Sequence, residues 1–304
     1  MQIKSTTGGN PLNQKSLNVL GTVGDPTIAS EYSTLSCQCL CADNCAGLMR
    51  AAGRFGADGN SHVNGGGTLP PATPPVGGGD NNGGTTTMKI ADFMQLTGTG
   101  FGTSGVRGLI TKLTDETCYV YTLGFIQHLE AQGEIEKGSP IAVAGDLRSS
   151  TDRIMSAVGK AIADSGYEVA NMGKIPSPAI ALYGIRHKMP AIMITGSHIP
   201  DDRNGIKYNK PSGEILKTDE AGIKEQVVSW DKALFTADGM FAKGVDSRLP
   251  TYMDTARSQF VKRYLDFFPK GFLAGKTVGL YQHSAVGRDI FKQILEGFGA
   301  EVVT

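Results

Sequence analysis

From Met88 onward the apolar positions alternate between two periods. Thr114-Asp115-Glu116 has the form of a helix start, a capping hydroxyl followed by acidic residues. Tyr119, Leu123, Ile126 and Leu129 follow at helical spacing, and Gly133 is a stop signal. Ile141–Ala144 is a short apolar run that predicts a buried strand. Ile154, Met155, Val158, Ala161 and Ile162 predict a second helix closed by Gly166, and Tyr167–Ala170 a second strand. Pro178 suits the first turn of a helix through Ile185, and Pro190 precedes the strand Ala191–Ile194. Helical stretches are predicted over 218–229 and 252–267. Near Lys276 the pattern restarts: TVGLY as a strand, Ile290–Phe298 as a helix, AEVV as another strand.

Helix and strand in turn predict a three-layer α/β/α domain with a mixed or parallel sheet, followed by the start of a second similar domain. With only two strands and one helix, that second unit is expected to leave an edge for association.

Residues 64–87 hold eight glycines and four prolines among 24 positions, which predicts a flexible linker. Residues 1–63 show little periodicity and are expected to be disordered. The expected division is a low-complexity extension and linker over 1–87, a main domain over 88–272 and an incomplete second unit over 273–304.

Lysine plus arginine total 29, as do aspartate plus glutamate, so broad nucleic-acid or acidic-membrane binding is not expected. No apolar run marks a secretory signal or a membrane span, which makes the cytoplasm the expected location. Four of the five cysteines cluster at Cys37, Cys39, Cys41 and Cys45, in a spacing that is not a standard zinc pattern. Cys118 stands alone.

Three segments carry candidate chemistry. FGTSGVRG, 101–108, contains Thr103, Ser104 and Gly105 in a flexible run followed by Arg107, whose planar fork suits phosphate. AGDLRSS, 144–150, follows a strand, and its Asp146 and Arg148 either pair with each other or serve a ligand. The third segment is ITGSHIPDDRNGIK, 194–207. Its Ser197 lacks a G-x-S-x-G elbow, and the adjacent His198 is a poor activating base because neighbouring side chains generally diverge. His128 and His187 read as helix surface and His62 as linker. A phosphoserine, carrying about −1.5 to −2 charges, needs cations nearby. Lys207 follows ten positions after Ser197, and Asn204-Gly205 reads as the turn that folds it back. The bland alternative is a polar connection with a solvated lysine.

Taken together and in this order, the segments resemble the phosphohexomutase superfamily, the phosphoglucomutases and phosphomannomutases. FGTSGVRG is similar to the family's arginine loop and GDLRSS to its G-x-D-x-R-x-S segment. IPSPAIALYGI with AIMITGSHIPDDRNGIK is similar to its P-T-P segment and its phosphoserine loop, usually T-A-S-H-N-P…N-G-x-K. VGLYQHSAVGRD is similar to the opening of the second domain in a phosphomannomutase-like branch. The resemblance covers residues 88–304. Two departures lie within the loop. Gly196 stands for alanine, a small-for-small change expected to cost little, and Ile199 stands for asparagine, expected to remove a loop hydrogen bond.

The resemblance implies an intramolecular phosphotransferase, an isomerase and phosphoprotein of carbohydrate metabolism. Phosphate would move between C6 and C1 of a hexose phosphate through phosphorylated Ser197, with a glucose 1,6-bisphosphate-type activator. Arg107 would neutralise charge, Lys207 act as acid or base, and His198 hold the loop. Thr103, Ser104, Gly105, Arg148 and Asn204 would bind substrate or phosphate. Magnesium would bridge the Ser197 phosphate to three family aspartates in a D-G-D-x-D-R loop, a pattern this sequence lacks. The sugar-recognition loop and the late phosphate-binding loop are not found either. The expectation is therefore a fragment, domain one plus the opening of domain two, that is not self-sufficient. A non-catalytic phosphosugar- or partner-binding fragment is the alternative.

Overall fold

In the computed structural model the described residues are 84–102 and 105–304, with the backbone of two short strands, β1 (Ile3–Lys4) and β2 (Ser16–Leu17), which pair antiparallel. The expectations for the linker before Gly84 and for the four clustered cysteines lie outside these residues.

The main domain opens with β3 (Thr85–Lys89), α1 (Ile90–Thr97), β4 (Gly100–Phe101) and β5 (Gly105–Leu109). It continues with α2 (Asp115–Ala131), β6 (Pro140–Gly145), α3 (Thr151–Asp164), β7 (Glu168–Lys174), α4 (Ser177–His187) and β8 (Ala191–Ile194). Then come β9 (Arg203–Lys210), β10 (Gly213–Glu214), α5 (Lys217–Glu225) and β11 (Val227–Asp231). A long irregular stretch leads to α6 (Thr255–Phe267), and the second unit is β12 (Thr277–Gly279), α7 (Arg288–Gly297) and β13 (Glu301–Val303).

Seven strands form one mixed sheet in the order β4-β5-β9-β8-β6-β7, with β10 beside β9. The strands β8, β6 and β7 are parallel. β9 runs antiparallel to both β8 and β5. Alternation along the strands divides their side chains between two cores. Ile192, Ile194, Ile206 and Tyr208 join Phe125, Leu129, Ile154 and Val158 of α2 and α3 on one face. Ala142, Ala144, Ala191 and Met193 join Ile180 of α4 and Phe260 of α6 on the other. The result is the three-layer α/β/α architecture.

Helix α2 shows how this arrangement hides a sequence signal. Thr114 caps it by accepting the Thr117 backbone N–H at 3.2 Å, a contact worth about 1 kcal/mol. Its residues are buried almost all round, polar Asp115, Glu116 and His128 included. The polar ones have partners. Glu116 accepts from the Trp230 indole at 2.8 Å and from Lys232, and Asp115 accepts from Arg153 at 2.8 Å. His128, read from sequence as helix surface, is buried with Nε2 3.4 Å from Asp219, because α5 covers that side of α2.

Three other readings change. Arg203–Lys210 is an internal strand, not a turn; the chain reverses earlier, where the Arg203 N–H reaches the Pro200 carbonyl at 3.1 Å. The predicted helix over 218–229 ends at Glu225, and Val227–Asp231 pairs instead with Thr85–Lys89. That pairing also draws Thr85–Thr87, read as linker, into a strand. In the second unit β12 and β13 pair in parallel, and Leu280, Ile290 and Ile294 share the apolar cluster of Phe260. No helix among the described residues is long and apolar enough to cross a membrane.

Asp219 ties α5 to the sheet. Burial alone would raise its pKa. The Leu216 N–H at 2.8 Å, Lys210 at 3.1 Å and His128 outweigh that and hold it below the usual carboxylate range. A carboxylate with a depressed folded pKa stabilises above its unfolded value and loses that contribution as pH falls through the folded one. Asp219→Asn is expected to cost about 1–3 kcal/mol near neutral pH. The gap to wild type should close below about pH 4, read by urea unfolding across that range.

Candidate active site at the sheet edge

The parallel strands β6 and β8 end at one edge, where two loops meet: 146–150 after β6 and 195–202 after β8. Such an edge is the ordinary place for a ligand site in an α/β sheet. The loops are joined by a buried carboxylate. Asp146 Oδ1 accepts from the Arg148 N–H at 3.0 Å and the Thr151 hydroxyl at 2.6 Å. Its Oδ2 accepts the Gly196 N–H at 3.1 Å. Asn204, fully buried on β9, donates from Nδ2 to Ser150 Oγ at 2.9 Å and Thr151 Oγ1 at 3.2 Å. The start of α3 and the ends of β6, β8 and β9 are thereby locked together.

Ser197 sits in this frame with φ 55°, the left-handed region. For a residue with a Cβ that costs about 1–3 kcal/mol, sustained only by surrounding contacts. The Ser197 N–H donates to Thr195 Oγ1 at 2.9 Å, and its carbonyl accepts from Arg148 at 3.3 Å. The bend also changes the relation to His198. The two side chains converge, with Ser197 Oγ 3.2 Å from His198 Nδ1, because divergence of neighbours assumes a helical or extended backbone.

Strand register places the cations. Arg107 lies opposite Gly205, and the Thr195 N–H bonds the Gly205 carbonyl, so Thr195, Gly205 and Arg107 share a row. Gly105, Lys207 and Met193 form the next row. Paired residues and residues two apart share a face, so Arg107 and Lys207 lie on the same face as Thr195, two residues before Ser197. Lys207 is buried and Arg107 half-buried. The antiparallel β8–β9 hairpin, rather than a turn at Asn204-Gly205, brings the lysine back. Thr103 and Ser104 lie outside the described residues. Gly105 belongs to β5, where a methyl would overlap the Ile206 carbonyl oxygen and lie 2.8 Å from Lys207 Cα.

Two candidate residues make their hydrogen bonds within the scaffold. Asn204, expected at phosphate, spends its amide on Ser150 and Thr151. Arg148, also expected there, gives its guanidinium to the main chain of the serine loop: Ile199 at 2.6 Å, Pro200 at 2.8 Å, Ser197 and Arg203 at 3.3 Å. At Gly196, expected to differ little from alanine, a methyl would overlap that guanidinium, so alanine there requires the Arg148 side chain to shift. Thr151 was missed; the hydroxyl run S-S-T directly after D-x-R, at a helix start, was its signal. Away from this edge, Cys118 is buried and its thiol pushed up to about 12 by that burial, which keeps it unreactive.

A family model for phosphoglucomutase/phosphomannomutase, alpha/beta/alpha domain I, matches residues 98–234, which contain every element of the edge. The chain belongs to the alpha-D-phosphohexomutase superfamily. It is 40% identical over 206 residues to a phosphomannomutase of Sinorhizobium fredii, covering 68% of this chain and 42% of that one. To a phosphomannomutase of Salmonella muenchen it is 37% identical over 213 residues, covering 70% and 41%. The chain thus spans about two fifths of the length of these relatives. A crystal structure of a putative phosphomannomutase from Thermus thermophilus superposes with a TM-score of 0.52 at 20% identity, over 67% of this chain and 45% of that one, which shows the fold. Within this superfamily domain, the β5–β9 approach at Gly105 sets where Arg107 and Lys207 stand. Gly105→Ala is expected to force those strands apart and cost at least about 1–3 kcal/mol, measured by urea unfolding.

Proposed function

We propose that Ser197 carries a phosphoryl group between oxygens of a hexose phosphate. The observation that carries this reading is the placement of Arg107 and Lys207 on the face of Thr195, at the edge where Ser197 Oγ meets His198. A phosphoserine there would have cationic neighbours to offset its charge. In transfer, the P–Oγ bond of phosphorylated Ser197 breaks as a bond forms from phosphorus to a sugar hydroxyl oxygen. The hydroxyl proton passes by way of Lys207 to Ser197 Oγ, leaving a free serine and a bisphosphorylated sugar. Return of the other phosphate to Ser197 completes a C6–C1 exchange. Catalysis of this kind is mainly positioning and charge neutralisation, which Arg107 supplies. Relatives named phosphomannomutase and phosphoglucosamine mutase support hexose phosphates as the substrate class.

Magnesium, which the family uses to neutralise phosphate charge, finds only part of a site in these residues. A phosphorylated Ser197 offers oxygen donors, but among the described residues no three His, Cys, Asp or Glu side chains cluster to hold an ion. We therefore assign this chain the phosphoserine half of the reaction.

Incubation of the purified chain with glucose 1,6-bisphosphate should add one phosphate, mapped to the peptide containing Ser197 by mass spectrometry. Ser197→Ala should take up none; retention of full uptake would exclude the carrier role. Arg107→Met and Lys207→Met should slow uptake by about 10²–10³-fold, the usual cost of removing a charge-stabilising donor. Magnesium-dependent conversion of glucose 1-phosphate to glucose 6-phosphate by this chain alone is expected to be absent.

A further inference from the structure

The loop that presents Ser197 is held from one side by a single guanidinium. Arg148 Nη2 donates to the carbonyls of Ile199 at 2.6 Å and Ser197 at 3.3 Å. Nη1 is shared among the carbonyls of Pro200 at 2.8 Å and Arg203 at 3.3 Å and the carboxylate of Asp201 at 3.1 Å. Nε lies 3.4 Å from Asp146 Oδ2, the oxygen that also accepts the Gly196 N–H. The side chain is 12% exposed, so its donors are committed inward. A guanidinium presents five N–H groups in a rigid plane, and no other side chain could reach this many acceptors in one loop.

In its present position the plane occupies the volume that a side chain at residue 196 would need. An ideal Cβ at Gly196 would overlap Nε and Cζ of Arg148 and lie 2.8 Å from Nη2. Gly196 is not among the residues with positive φ, so backbone freedom is not its reason. Space for Arg148 is.

We infer that Gly196 and Arg148 form one coupled device, a guanidinium seated where a methyl would stand, that holds Ser197 in its left-handed conformation and so positions the phosphoryl-carrying oxygen. Arg148 is thus a positioning residue and does not bind the sugar phosphate. The positioning role rests on the proposed phosphoserine chemistry; the coupling between the two residues does not.

The test uses the full chain with Gly196→Ala, Arg148→Ala and the double variant. Amide hydrogen exchange over 195–203 is compared with exchange in helix α2 and with thermal melting. Each single variant should speed loop exchange at least about tenfold, the range of local opening, while α2 is unchanged. The double variant should be no faster than Arg148→Ala, since the methyl has nothing left to displace. Wild-type loop exchange in Gly196→Ala, or effects that multiply in the double variant, would overturn the coupling. Should Arg148→Ala not fold, the Arg148 Nε–H resonance serves alone. It should move to the position of solvated arginines in Gly196→Ala, and an unmoved resonance would refute the pairing. A second arm follows phosphate uptake on Ser197 from glucose 1,6-bisphosphate. Uptake by wild type that falls at least about tenfold in Gly196→Ala supports positioning, and unchanged uptake overturns it. No uptake by wild type, with the exchange pattern intact, would instead sink the phosphoserine reading and leave the coupled device standing.

Discussion

The carboxylate of Asp146 converts a sheet edge into a site. It is buried, so its charge must be met by hydrogen bonds, and it takes them from three separate places: its own loop, the start of α3 and Gly196 at the end of β8. A charge-assisted bond to a backbone N–H is stronger than a neutral one, and an unmet buried carboxylate is costly. The loops after β6 and β8 therefore cannot separate without exposing that cost. Asn204 extends the lock to β9 through Ser150 and Thr151, and β9 in turn carries Lys207 and pairs with the strand of Arg107. The serine loop and the strands that carry Lys207 and Arg107 are thus tied to one buried anion.

The mixed sheet follows from the same need. Parallel strands alone would bring loops to the edge but no side chain from a strand interior. The antiparallel β8–β9–β5 segment lays strand residues alongside and just past the end of β8: Lys207 lies opposite Met193 and Arg107 one row beyond β8, both alternating with residues of the first core. One face of β9 holds Ile206 and Tyr208, packed on Phe125 and its neighbours, with the Tyr208 and Phe125 rings stacked 4.6 Å apart. The other face holds Gly205 and Lys207. The cations are as fixed as the core behind them.

That division explains what was readable in the sequence. Strands buried on both faces, such as Ala191–Ile194, announced themselves as apolar runs, and α3 showed its helical spacing. The strand RNGIKYNK did not, because one of its faces is a polar site and its Asn-Gly pair carries a turn signal. The predicted helix over 218–229 ran into the strand Val227–Asp231 because that strand's buried residues, Val228 and Trp230, are too few to establish a period and its partner strand is Thr-rich. His128 looked like surface because burial by α5 leaves no trace in the spacing of α2. The serine, lysine and arginine of the proposed site were singled out from residue type and order. Their support was not, since Asn204 and Arg148 are the kinds of residue expected at phosphate and are spent on the scaffold instead.

Residues 196 and 197 invert the usual assignment of conformations. Glycine ordinarily occupies the left-handed position, because it alone adopts it freely. Here the serine takes that position and the glycine does not. The exchange is intelligible once each residue is asked what it must supply. In the proposed phosphoserine chemistry position 197 must supply a hydroxyl, so it bears the backbone strain, and hydrogen bonds to Thr195 and from Arg148 hold it there. Position 196 must supply an absence, since the Arg148 plane occupies the volume of its missing methyl. A chain with glycine at 197 would relieve the strain and lose the hydroxyl oxygen. A chain with alanine at 196 would keep the oxygen and displace the group that aims it. In the order Gly-Ser the strained backbone, the hydroxyl and this placement of the guanidinium are compatible without any shift of Arg148.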